Sequence, residues 1–394
     1  MPKSRPFLYR VMSNSSVSMK LKFSHSYLLY AGINVLFMLK YSTRISLTEG
    51  YLLTVGYAVL LSLFPWVFAK LKVSPTVYRY GFFAVGLVFF IFSMVLNSTV
   101  DGASLQVDRW SAMEVGIEAL LHGEYPYAAV DNLGGRTSNL PGLIGIGIPF
   151  YLLGNVGYLQ SFCFILFTYG CYRVFDQYKT RLFCLLLLVL SPAYVWEVYV
   201  KSDLMSNFIL ILLFVIWVYQ RTVAQKKIKL SLLSFVATSL LLTRIIAFIP
   251  ISIVLVKPFF SWSMQRKIYF LGISLLTIVA GGYLCFHQAE SMAYIKKYNP
   301  FELQNRQLPT LLSALFLVIP LYFADKVSHL NSVFKAIVIG LFLPIMAAFI
   351  GKLYRYGFHQ SVFESGFDLS YFNMLMPFLL VLLSLQFTQK QASN

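Results

Sequence analysis

Acidic side chains are scarce in this chain: 15 Asp and Glu stand against 32 Lys and Arg in 394 residues. Charge of either sign is thin at 12%, about half of what a soluble domain carries. That excludes a soluble fold, because so few polar groups cannot cover the surface of a chain that is 58% hydrophobic. Cysteine is sparse as well. Cys163, Cys171, Cys184 and Cys285 all fall in apolar stretches, with no CxxC and no Cys/His cluster at metal spacing. They read as small buried side chains and say nothing of redox compartment. The five histidines, His25, His122, His287, His329 and His359, form no HExxH, so no zinc signature is present. His287 and Glu290, three apart, could still support a metal or a substrate. No GxxxxGK[ST] loop and no Rossmann fingerprint occur, so the sequence offers no sign of direct nucleotide or ATP use.

What is present is apolar sequence in blocks of the length a bilayer core demands, about 17–25 residues. The expected fold class is all-α, a polytopic membrane protein of about twelve spans. They run at 24–40, 50–69, 80–97, 156–175, 182–200, 203–220, 230–243, 244–260, 267–287, 308–325, 333–350 and 370–387. A further apolar stretch, 139–153, is short and carries Pro141 and Pro149, and reads as re-entrant or interfacial. The basic N-terminus lacks a small-residue cleavage site after its first apolar block, so that block reads as a retained span rather than a signal peptide.

The net charge of +17 would suggest nucleic acid in a soluble protein. Here the basic residues sit in short gaps between apolar blocks, which is the positive-inside pattern, and nucleic acid is not expected. With both termini cytoplasmic, that face collects Lys3, Arg5, Lys70, Lys72, Lys226, Lys227, Arg266 and Lys267, and Lys and Arg favour it by about two to one. Asp176 and Asp325 are the acidic residues that fall there. The other carboxylates crowd the outer face, where chemistry has room to work.

The largest polar insertion is the outer loop from 97 to 139. Within it Trp110, Met113, Ile117, Leu120 and Leu121 recur at helical spacing, with Glu114 and Glu118 opposite, which predicts a short amphipathic helix along the membrane surface. His122-Gly123 ends it, and Tyr-Pro-Tyr at 125–127 turns the chain back toward lipid.

The order of these features carries a resemblance. Asp108 follows a span; the amphipathic helix 110–121, GEYPYA at 123–128 and LPGLIGIGIPFYLLG at 140–154 come next. This resembles the first outer loop of the GT-C superfamily of membrane glycosyltransferases, nearest to its bacterial mannosyl- and arabinosyltransferase branches. SPAYVWEVYVKSDLMSN at 191–207 is similar to the family's second outer loop, and LLTRIIAFIP at 241–250 to its paired half-spans with a basic residue part-way down. The likeness covers 80–260 of a single integral membrane domain. Residues 1–79 read as additional N-terminal spans and 261–394 as C-terminal spans. The resemblance implies an inverting enzyme, and its membrane reads as a bacterial inner membrane ahead of an endoplasmic reticulum, with the outer face periplasmic or luminal. The enzyme would move a sugar from a polyprenyl-phosphate donor to a hydroxyl of a lipid, glycan or protein at the outer face.

Such a transfer needs a carboxylate to accept the hydroxyl proton and cations on the leaving phosphate. Asp108 is the expected general base; its bland alternative is the N-cap of the helix it precedes. Asp101 is the nearest rival, although Gly102 beside it suggests a plain turn. Asp203 is the second carboxylate, to orient the acceptor or, with Asp108, to hold a divalent cation such as Mg or Mn. It too could simply favour a helix start. Arg244 stands in a run from Leu230 to Val256 with no other charged side chain. A charge at mid-bilayer costs roughly 2.5–3.5 kcal/mol, so it should face a cavity or a partner unless it snorkels to water. Arg244, Lys201 and Arg136 are the expected donor-phosphate ligands, with Lys296, Lys297, Arg306 and Arg355 behind them. Tyr125, Tyr127 and Asn139 are the expected substrate contacts; the tyrosines could equally belong to an interfacial aromatic belt.

Two rival functions remain at this level. A flippase for a lipid-linked glycan would suit the span count, but no paired Gly/Pro-broken spans appear at matching places in two halves. A surface-glycan ligase or an acyltransferase is the other; the latter needs a catalytic His with no evident intramembrane setting here.

Overall fold

The computed structural model describes residues 23–324 and 326–393, so Lys3, Arg5 and Asp325 lie outside the described residues. Within them the chain is all helical, and Val130 and Arg136 form an isolated antiparallel bridge. The helices are α1 (Phe23–Ser42), α2 (Leu47–Lys70), α3 (Pro75–Thr99), α4 (Arg109–Leu121), α5 (Pro141–Leu152), α6 (Tyr158–Val174), α7 (Tyr178–Val189), α8 (Pro192–Tyr199) and α9 (Leu204–Val223). After these come α10 (Leu230–Leu241), α11 (Phe248–Ser261), α12 (Met264–Phe286), α13 (Met292–Lys297), α14 (Pro300–Asn305), α15 (Thr310–Ala324), α16 (Leu330–Val362) and α17 (Met376–Ser393).

Among them, α2, α3, α9, α12 and α16 are long and apolar enough to cross a membrane alone. The total rises to seven if two bent pairs each count as one span. This is fewer than the twelve apolar blocks, because prolines and polar breaks cut several blocks into shorter helices. Pro192 stands at the first position of α8 and Ser191 caps it, its hydroxyl accepting from the Tyr194 amide at 3.3 Å. The α7–α8 segment therefore bends by 59°.

The blocks at 230–243 and 244–260 form a helical hairpin rather than two separate spans. Leu230 and Leu233 of α10 line the same cavity as Pro258 and Ser261 of α11, so both arms start and finish at one end of the bundle. The tip, around Arg244, reaches the other end. There the Thr243 hydroxyl accepts from Asn207 Nδ2 of α9 at 3.0 Å.

The stretch at 139–153 is α5, and both its ends lie toward the 100–140 loop. The Gly142 amide donates to the Leu242 carbonyl at 2.9 Å, and Asn155 Nδ2 donates to the Asn97 carbonyl at 2.6 Å. Helix α4 ends at His122 with Gly123 in the left-handed region, φ 76°. Its apolar stripe packs on α5: a Cβ on Gly147 would meet Ile117 and Met113 within 3 Å. The stripe is thus largely covered by protein, although Leu121 stays exposed.

Helix α9 lies at the centre, with 72% of its most apolar stretch buried, whereas α12 has 6% buried and presents its apolar side chains outward. Around α9 the core is aromatic. Phe183 stacks on Phe387 at 4.2 Å, joining α7 to α17, and Phe89 stacks on Tyr194 at 5.5 Å, joining α3 to α8.

Candidate functional site

Six chain segments meet at the end of the bundle that carries the 100–140 loop: the start of α4, the 134–139 strip, the start of α9, the 303–307 stretch, the part of α16 around Lys352 and the 365–371 turn. They enclose a polar cavity of about 620 Å³ whose wall includes Asp108, Arg136, Asn139, Asp203, Arg306 and Lys352.

Asp108 and Asp203 both occupy the residue before a helix, yet neither carboxylate caps it. For Asp203 the reason is visible. Glu197 Oε1 in α8 accepts the Met205 amide in the first turn of α9, doing the work an N-cap would do. Its other oxygen accepts from Asn373 Nδ2 at 2.5 Å. The Asp203 carboxylate is thereby left for Arg244, whose Nη2 donates to Asp203 Oδ2 at 2.5 Å and to Asn139 Oδ1 at 3.2 Å. Both members of the pair are buried. Gln304 braces the tip: its Oε1 accepts the Ile245 amide at 2.8 Å and its Nε2 donates to the Ser138 carbonyl at 2.6 Å.

Asp108 is half-buried, and its carboxylate accepts no hydrogen bond from the described residues. It is the unpaired acid of the cavity. Its neighbour Arg109 is committed across the cavity to Asp368. Burial pushes the Asp368 carboxyl up, but Arg109 together with the Ser370 hydroxyl and amide overrides this and holds it below the usual carboxylate range.

Arg136 reaches the wall from a tight loop. Asp131 Oδ1 accepts the amides of Leu133 and Gly135 at 2.9 and 2.8 Å, and Gly134 takes φ 78°. The guanidinium then lies 4.2 Å from the Tyr298 ring centroid. Arg306 and Lys352 complete the basic side.

Beside the polar cavity is an apolar one of about 150 Å³, walled by Ile246, Ile249, Phe316, Leu317 and Ala348. The two share Ser138, Leu303, Gln307 and Tyr371 as common walls.

No protein-family model, curated protein or solved structure matches the chain.

Of the residues singled out in the sequence, Asp108, Asp203, Arg136 and Asn139 share the polar cavity, and Arg244 is tied to it through Asp203. As expected of a charge in that apolar run, Arg244 faces a partner and a cavity: from the hairpin tip it spends one nitrogen on Asp203 and Asn139 while lining the apolar cavity. Three expectations need correction. Lys201 points elsewhere; burial pushes its ammonium down against the pull of Glu114 and Asp101. Glu114, expected on a solvated face, is half-buried, and burial pushes its carboxyl up with Lys201 opposing. Tyr125 and Tyr127 do not line the cavity but pack on Phe286. Tyr125 still contributes indirectly, donating at 3.2 Å to the carbonyl of Tyr298, the residue under Arg136.

Asp203 and Asp108 do not make a fitting seat for a divalent ion. The first is taken by Arg244, and no three of His, Cys, Asp or Glu gather to hold a metal among the described residues. Sequence reasoning passed over Glu197, Arg109, Asp368 and Lys352. Asp368 carried a signal, since its side chain caps the turn at 369–374 through the Ser370 amide just before an apolar run.

Proposed function

We propose that this chain is a multi-span membrane glycosyltransferase of the GT-C type, transferring a sugar from a polyprenyl-phosphate donor to an acceptor hydroxyl. The observation that supports it most directly is the unpaired carboxylate of Asp108 on one polar cavity with Arg136, Arg306 and Lys352. An acid without a partner can accept a proton, and cations without a carboxylate of their own can hold a phosphate.

In the reaction the acceptor oxygen bonds to the anomeric carbon and gives its proton to Asp108. The bond from that carbon to the phosphate oxygen breaks, and the electron pair leaves on the prenyl phosphate. Arg136, Arg306 and Lys352 stabilise that growing charge, the electrostatic contribution that usually dominates such steps. The adjoining apolar cavity suits the first part of the prenyl chain. Asp203, Arg244 and Asn139 act as positioning residues, fixing α9 and the hairpin tip against the 134–139 strip.

We place the cavity at the outer face of a bacterial inner membrane, following the Lys and Arg bias. The same bias puts the termini in the cytoplasm. Asp108→Asn tests the reading. Cells making the variant at normal level should lose the transferred sugar from their envelope glycans by at least about a hundredfold, the lower end of a general base's contribution. Unchanged glycans with normal expression would remove Asp108 from the chemistry.

A further inference from the structure

The helices that carry the site at one end carry a second cavity at the other. It is about as large as the first, 620 Å³, and lies among the end of α9, the feet of the α10–α11 hairpin, the end of α15 and the start of α16. Helix α9 separates the two by 20 residues, about 30 Å of helix, which matches a hydrocarbon core.

The lining of this second cavity is divided. Leu233, Ile253, Val254 and Val333 form an apolar wall, and Lys226, Lys227 and Arg266 stand exposed at the mouth. None of these three cations is in an ion pair among the described residues, and no described wall residue is acidic. Gln225, with φ 51°, breaks the chain direction after α9 and delivers the two lysines to the mouth. Arg266 lies 5.6 Å from the ring centroid of Trp262, itself a wall residue. Thr222, Ser261 and Ser328 add hydroxyls.

We propose that this cavity binds an anionic phospholipid, its phosphate among Lys226, Lys227 and Arg266 and the top of its acyl chain along the apolar wall. Basic residues alone would serve any anion or simply follow the positive-inside rule. The concave apolar wall beneath them is what selects an amphiphile, since a free phosphate gains nothing from it.

Native mass spectrometry of the full chain in detergent tests this with three probes: phosphatidylglycerol, phosphatidylcholine and inorganic phosphate. The expected result is one retained phosphatidylglycerol that neither of the others displaces. K226Q/K227Q/R266Q should weaken retention by about tenfold or more, since each cation near a lipid phosphate adds attraction. K226R/K227R should keep it, as should K72Q/R79Q, which removes cations at the same end of the bundle but outside the cavity. Equal retention of phosphatidylcholine, or full retention by the glutamine variant, overturns the proposal. So does displacement by millimolar phosphate, which would make this an anion site indifferent to the chain. If the glutamine variant does not fold, K226E alone reads the same loss. None of these readouts depends on sugar transfer, so the lipid site stands or falls apart from the function of the polar cavity.

Discussion

At the residue scale, the site rests on side chains excused from their ordinary local duties. Aspartate before a helix is normally an N-cap. Here Glu197 caps α9 from the next helix, and Asp203 is released to neutralise Arg244. Burying that pair is costly for each ion, and removing one partner strands the other. Asp203→Ala and Arg244→Ala should therefore each destabilise the protein by about 3–5 kcal/mol. The Asp203→Ala/Arg244→Ala double variant should lose clearly less than the sum. Thermal unfolding of the four proteins in one detergent measures the coupling, and strict additivity would show the pair to be energetically idle. The sequence reveals residue types and their positions relative to helix starts, which is why Asp108, Asp203 and Arg244 stand out in it. It hides partners. Asp203 and Arg244 are 41 positions apart and Arg109 and Asp368 are 259 apart. Glu197 lies in a stretch of Tyr, Val and Trp, where no period marks a carboxylate as indispensable.

At the element scale, the hairpin of α10 and α11 decides where Arg244 goes. Neither arm is long enough to cross a bilayer, so the turn between them is delivered to the cavity rather than to water. Helix α5 pins that turn, and glycine makes the approach possible. A Cβ on Gly142 would lie 2.2 Å from the Ser239 carbonyl oxygen and 2.9 Å from the Leu242 carbonyl carbon. Both are backbone atoms that cannot rotate away, so Gly142→Ala must push α5 off the hairpin. Overpacking of this kind costs about 1–3 kcal/mol. The variant should melt earlier and, on the proposed function, lose sugar transfer as the hairpin tip moves away from Asp203. Gly145→Ala, one turn on with nothing within 4 Å of its Cβ, should change neither. If the two variants melt alike, α5 does not hold the tip. Apolar runs identify where helices form, and every block read from the sequence contains one. Whether two adjacent runs cross separately or fold back on each other depends on contacts at the turn, and those are tertiary.

At the scale of the whole molecule, the chain is polarised. Carboxylates and cations face each other around one cavity, while the other carries cations over an apolar wall. If α9 crosses the membrane, these two ends lie on opposite faces, and the orientation we propose from the Lys and Arg bias puts the polar cavity outside. The native thiols are all buried, so an introduced cysteine can be read against a silent background. Glu118→Cys, exposed on α4, should react with a membrane-impermeant maleimide added outside intact bacterial spheroplasts. Lys227→Cys should react only after the membrane is opened. The reverse pattern would turn the protein over and place the polar cavity in the cytoplasm, where an outer-face acceptor could not reach Asp108. Labelling of both from one side would mean that α9 does not cross. The two cavities would then share one aqueous face, and the proposed lipid-linked donor would need a different arrangement of the same helices.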